Sequence, residues 1–166
     1  MVELHMEKGA VISICEKYRY KLWRIWDKEK PKLLFIMLNP STADADIDDA
    51  TIRRCIRFAN SWGYGSIYVG NLFAYRSTYP KDLLLIADPV GADNLMHISE
   101  MCYLCDDVVY AWGDSVPKGV KCNSLAAIRN KPIYNLGLNK SGNPKHPLYL
   151  PLTTKMQKVQ PLKRYI

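Results

Sequence analysis

Apolar positions along this chain fall into a few spacings, and each spacing predicts an element. Val11 to Ile14 and Tyr20 to Trp26 alternate or cluster apolar and aromatic residues, which predicts two antiparallel strands turning at Glu16-Lys17. Leu33 to Leu38 (LLFIML) is a continuous apolar run, the mark of a strand buried on both faces. It stops at Asn39-Pro40, because proline removes a ladder donor. Between Ala50 and Trp62 apolar residues recur at Ile52, Cys55, Ile56 and Ala59, the spacing of an amphipathic helix. Asp48 or Asp49 caps that helix, Gly63 ends it, and Arg53, Arg54 and Arg57 face away from its apolar stripe. Ser66 to Leu72 predicts another short strand. A helix from about Ala92 to Cys105, a strand Asp107 to Trp112, a third helix including Leu125 to Arg129 and a fourth central strand Pro132 to Leu136 follow.

Strands alternating with helices imply crossover connections and a mostly parallel sheet. The expected architecture is therefore α/β: a three-layer arrangement with helices on both faces, extended by the N-terminal antiparallel pair. In such sheets ligands bind beyond the carboxyl ends of the strands. Those ends are Asn39-Pro40-Ser41, Asn71-Leu72-Phe73, Trp112-Gly113-Asp114 and Gly137-Leu138-Asn139, and all should share one edge.

Composition narrows the picture. The chain has 166 residues, enough for one domain with one hydrophobic core, and no repeat or linker divides it. No apolar run approaches the roughly 20 residues that span a bilayer, and Met1 to Gly9 lacks the apolar core of a signal peptide. A cytoplasmic protein without membrane contact is expected; oligomeric state is not legible. His5-Met6 resembles a cloning junction, so residues 1–8 read as tag or flexible, and 155–166 as a flexible tail. The net charge of +7 suits an anionic partner such as nucleic acid or a nucleotide, although the basic residues are dispersed. Five cysteines form no regular disulfide framework. Cys102-x-x-Cys105 has ligand spacing but no second pair, and it sits in an apolar helical stripe where buried thiols are common. No metal or other cofactor is expected.

The most distinctive segment is Asn39-Pro40-Ser41-Thr42. Asn39 could present its carboxamide to a water or substrate, held rigid by Pro40, while the N–H groups after it bind an anion. The plain alternative is a turn, which Asn-Pro and Ser-Thr favour anyway. In the acidic run Asp44, Asp46, Asp48 and Asp49, helix capping accounts for the last two. Asp44 is the candidate general base. His146 is the histidine bracketed by turn residues, Gly142, Pro144 and Pro147. Asn71, with Phe73, Tyr75 and Arg76 in the loop after it, and Trp112 at a strand end are candidate substrate contacts. Trp112 could stack a base or cover the core, and Arg76 could meet phosphate or pair with an acid. GxGxxG, P-loop and GxSxG motifs do not occur, which removes the main support for dinucleotide, Walker-type and α/β-hydrolase readings.

The order RYKLWRIWD, FIMLNPSTADADIDDATIRRCIRFANSWGYG, VGNLFAYRST, DPVGADN, YAWG and NPKHPLYLP closely resembles the bacterial and phage family called domain of unknown function 1643, from Tyr18 to Pro151. That resemblance carries no established activity. More distantly, Leu38-Asn39-Pro40-Ser41 resembles the Gly-Ile-Asn-Pro-Gly motif of the mismatch-specific branch of the uracil-DNA glycosylase superfamily. The likeness extends to Val109 to Gly113, similar to that superfamily's hydrophobic strand ending in glycine. It implies a water-positioning role for Asn39, base-edge reading for Asn71 and a place beside the base carbonyl for His146. Leu38 and Ser41 replace the motif's glycines, and Leu148 stands where a DNA-contacting serine follows His-Pro. These departures weigh against tight duplex-DNA binding.

The reading these features support is a glycosylase-like protein that acts on a nucleobase, nucleoside or nucleic acid and hydrolyses an N-glycosidic bond. A non-catalytic nucleotide- or nucleic-acid-binding module is the first alternative. Magnesium-dependent phosphoryl or phosphoribosyl chemistry leaning on Asp44 and Asp46 is the second.

Overall fold

The structure is a computed structural model and describes residues 5–159. Its seven strands are β1 (Glu7–Ile12), β2 (Arg19–Ile25), β3 (Lys32–Met37), β4 (Ser66–Asn71), β5 (Asp107–Tyr110), β6 (Ile133–Asn135) and β7 (Gln157–Lys158). They form one sheet in the order β1-β2-β4-β3-β5-β6-β7. The LLFIML run supplies β3, at the centre, paired in parallel with β4 on one side and β5 on the other. Its side chains alternate between two cores. Leu33, Phe35 and Met37 join the apolar face of α1 (Ala50–Ser61), while Leu34, Ile36 and Leu38 join that of α2 (Asn94–Leu104). Each fully buried Leu, Ile or Phe contributes roughly 1.5–3 kcal/mol, so this strand alone anchors both layers.

Parallel pairing is confined to β4, β3, β5 and β6. The β1–β2, β2–β4 and β6–β7 pairings are antiparallel, so the sheet is mixed where a mostly parallel one was expected. The reason is that the N-terminal strand pair does not stand apart: β2 docks directly on β4 and continues the sheet outward. Other expectations shift at the boundaries. The first strand begins at Glu7, so residues 7 and 8 are structured, and the supposed tail contributes β7; residues 1–4 and 160–166 lie outside the described residues. The third helix is only a short 3-10 turn, Ser124–Ala127, which ends before the positive-φ Asn130. Asp49 is the cap of α1, its Oδ1 accepting the Ile52 N–H at 2.9 Å.

Cys102 and Cys105 are buried free thiols in the α2 core, as the helical stripe implied. No helix among the described residues is long and apolar enough to cross a membrane.

Candidate functional site

The four parallel strands end on one edge, and a cavity of about 230 Å³ opens there. That is slightly below the usual range for small-molecule sites, about 300–1,000 Å³, and offers room for a ring-sized group. Asn39, Asn71 and His146, far apart in the chain, all line it, together with Pro40, Ser41 and Trp112.

Asn71 is the last residue of β4, in register with Met37 of β3, and is 1% exposed. Both ends of its carboxamide, Oδ1 and Nδ2, are buried without a hydrogen-bond partner. Buried amides are nearly always bonded, so this residue of the cavity wall carries an unsatisfied donor and an unsatisfied acceptor side by side. Its backbone is pinned from behind. Asn94 Nδ2 donates to the Asn71 carbonyl at 2.9 Å, and Ser124 Oγ donates to the Leu72 carbonyl at 2.6 Å.

His146 reaches the edge from the loop after β6. The loop is held to the end of β5 by the Gly113 N–H, which donates to the Pro144 carbonyl at 2.9 Å. Gly113 has φ +73°, and a Cβ there would lie 3.1 Å from the His146 Cβ. Glycine is thus required both by the backbone and by the close approach of the histidine. The Leu148 N–H donates to His146 Nδ1 at 3.1 Å. An accepting Nδ1 assigns the neutral ring's proton to Nε2, so the imidazole offers a neutral N–H donor. Burial lowers the His146 pKa from its ordinary value of 6.5, opposed in part by Asp49.

Asn39 is fixed through its amide nitrogen, which donates to the Ser77 carbonyl at 2.9 Å and the Pro40 carbonyl at 3.2 Å. Its Oδ1 is the end left to accept a proton donor in the cavity. The Ser77 N–H also donates to the Pro40 carbonyl, so the loops after β3 and β4 are sewn together around Asn39.

The remaining candidates lie elsewhere. Asp44 is not on the cavity wall; its Oδ1 accepts the N–H groups of Asp46 and Ile47, and these bonds lower its pKa. Asp46 is exposed and also off the wall. Thr42 is exposed, and Phe73 is a fully buried core residue. Tyr75 packs edge-on against Tyr18, and Arg76 donates to the Glu16 carbonyl. None of these four lines the cavity. Among the described residues no cluster of three His, Cys, Asp or Glu is placed to hold a metal.

Two charged residues on the wall are not apparent from the sequence. Asp49 doubles as the cap of α1, and only its role at the helix start is legible from its position. Arg19 is 3% exposed, with Nη1 donating to the Ala43 carbonyl at 2.9 Å and Nε buried without a partner. Burial lowers its pKa to about 10, opposed by Asp49.

Fold and site together define an α/β protein with a polar cavity at the carboxyl edge of a central parallel strand set. The chain belongs to the family described as protein of unknown function (DUF1643), whose sequence profile matches residues 19–148. Comparisons with curated proteins and with solved structures found no significant match. The matched range takes in Arg19, Asn39, Asp49, Asn71 and His146 alike.

Proposed function

We propose that this protein is a glycosylase-like enzyme that takes a nucleobase into the edge cavity and hydrolyses its N-glycosidic bond. The observation that carries the reading is the Asn71 carboxamide, buried and unbonded at both ends, on the same wall as Asn39 and His146. A paired donor and acceptor match the adjacent carbonyl and ring N–H of a base edge. The sequence resemblance to the uracil-DNA glycosylase superfamily points the same way, and with it to that superfamily's three-layer sandwich as the ancestral plan.

The reaction divides among these three residues and Asp49. Asn39 Oδ1 accepts a hydrogen bond from water and directs its lone pair at the anomeric carbon. The C–N bond breaks, and its electron pair leaves with the base. His146, neutral and protonated at Nε2, donates to the base carbonyl where negative charge grows. Asn71 holds the edge in register. Asp49, one of two carboxylates on the wall with Asp114, takes up the proton that water releases.

The test is chromatographic detection of free base after incubation with nucleosides, nucleoside monophosphates and single- and double-stranded oligonucleotides. Release from at least one substrate is expected. Asn39→Ala and His146→Ala should each lower it by about 10²–10³-fold, as loss of one preorganised polar group does. Tight binding with no release from any substrate would replace the enzyme with a nucleotide-binding module.

A further inference from the structure

Arg19 is where the alternation of β2 breaks. Lys21 of β2 pairs with Glu100 of α2 at 3.8 Å, and Trp23 packs into the α2-side core. Regular alternation would send Arg19 to that same face. Instead the register with β1 skips Tyr20: Val11 faces Lys21, but Ile12 faces Arg19. The bulge turns Arg19 to the α1 side, where its guanidinium meets Ala43 and the cavity. Bulges that re-aim a side chain are common beside working sites.

What it meets there does not satisfy it. One nitrogen, Nη1, is bonded; Nε is buried with no partner, and Nη2 donates to nothing among the described residues. No carboxylate among those residues lies within 4.0 Å of the guanidinium, although Asp49 shares the wall. Arg24, by contrast, is fully buried and closed by Asp48 at 2.7 Å. Arg76 nearby adds positive charge and has no ion pair among the described residues. A buried guanidinium with its fork open is suited to an oxyanion, which accepts two parallel N–H bonds.

We propose that Arg19 forms a buried oxyanion subsite of the cavity, and that the ligand is a base-bearing molecule carrying a phosphate rather than a free base or a nucleoside. The base end rests on the reading proposed above; the phosphate end stands on Arg19 alone. Asp49, on the same wall, sets the limit of the subsite by repelling an anion that moves toward His146.

The test is titration calorimetry on the full chain with the four common nucleosides, their 5′-monophosphates, short single-stranded oligonucleotides and inorganic phosphate. A monophosphate or an oligonucleotide should bind at least tenfold more tightly than its nucleoside, and which of the two does so separates a free nucleotide from a polymer. Arg19→Gln should erase that preference. Arg19→Lys, which keeps the charge but loses the fork, should retain part of it and serves if the glutamine variant does not fold. Equal affinity of nucleoside and phosphorylated forms in the wild type overturns the subsite, as does a preference that survives in Arg19→Gln. If phosphate alone binds in an Arg19-dependent way while no base-bearing ligand does, the subsite stands and the nucleobase reading falls. Binding of nothing overturns both.

Discussion

A carboxamide buried with neither end bonded costs stability, roughly 1–3 kcal/mol for each group left unpaired. Asn71 carries that cost at the end of a strand whose preceding residues are Ile67, Tyr68, Val69 and Gly70. Replacing it by a similar-sized apolar residue removes the penalty along with the recognition edge. Asn71→Leu should therefore raise stability by about 1–2 kcal/mol in urea denaturation while abolishing ligand binding; a destabilised variant would mean that the amide is satisfied in the free protein. His146 gives a second prediction at this scale. Burial depresses its pKa, so the folded protein favours the neutral ring. Stability from this group is full above the unfolded value near 6.5 and is lost as pH falls through the lower folded value. Activity should follow the same direction, because protonation puts a hydrogen on Nδ1 against the Leu148 N–H. The acid limb of the rate profile should have its midpoint below pH 6.5 and disappear in His146→Ala residual activity. A midpoint above 6.5 would assign the limb to another group.

Elements bring these residues together through contacts that composition does not announce. The acidic loop 41–49 is ordered by Arg24 of β2, whose guanidinium bonds Asp48 Oδ1 at 2.7 Å, the Asp44 carbonyl at 2.7 Å, the Trp23 carbonyl at 2.8 Å and the Gly9 carbonyl at 3.2 Å. The run Asp44 to Asp49 invites a reading as metal ligands or bases, but most of it is scaffolding around a buried arginine. Removing that arginine leaves Asp48, itself largely buried, with the longer contact to Lys8 at 3.8 Å. Arg24→Ala should cost about 3–5 kcal/mol, the usual penalty for breaking a buried pair from one side. The midpoint of urea denaturation measures it, and a loss below about 1 kcal/mol would show the pair to be solvated in practice. The bulge in β2 belongs to this scale too. Period-two alternation places Arg19 on the wrong face, and an extra residue in one strand leaves no mark in the hydrophobic pattern. That is why Asn39 and Asn71, at the ends of apolar runs, were legible as residues of the cavity edge while Arg19 was not.

For the whole molecule, apolar runs located β3, β4 and β5 and helical spacing located both long helices, because burial writes its period directly into the sequence. Neighbours in the sheet are a different matter. Periodicity says that β2 is a strand; it does not say that β2 lies antiparallel on β4, which is what makes the sheet mixed. Parallel order in the middle was enough to bring Asn39, Asn71 and the loop bearing His146 to one edge, since parallel strands end together. The short 3-10 turn at Ser124–Ala127 and the two-residue β7 lie below the length at which any pattern is readable. If this edge breaks a bond to a nucleobase, both products of one reaction must appear together. Free base and reducing sugar should appear in equal amounts with wild-type protein, and both should be lost together in His146→Ala, whose cooperative unfolding should show the fold retained. Base and sugar released equally by wild type and His146→Ala, or neither released from any nucleoside, nucleotide or oligonucleotide, would contradict it.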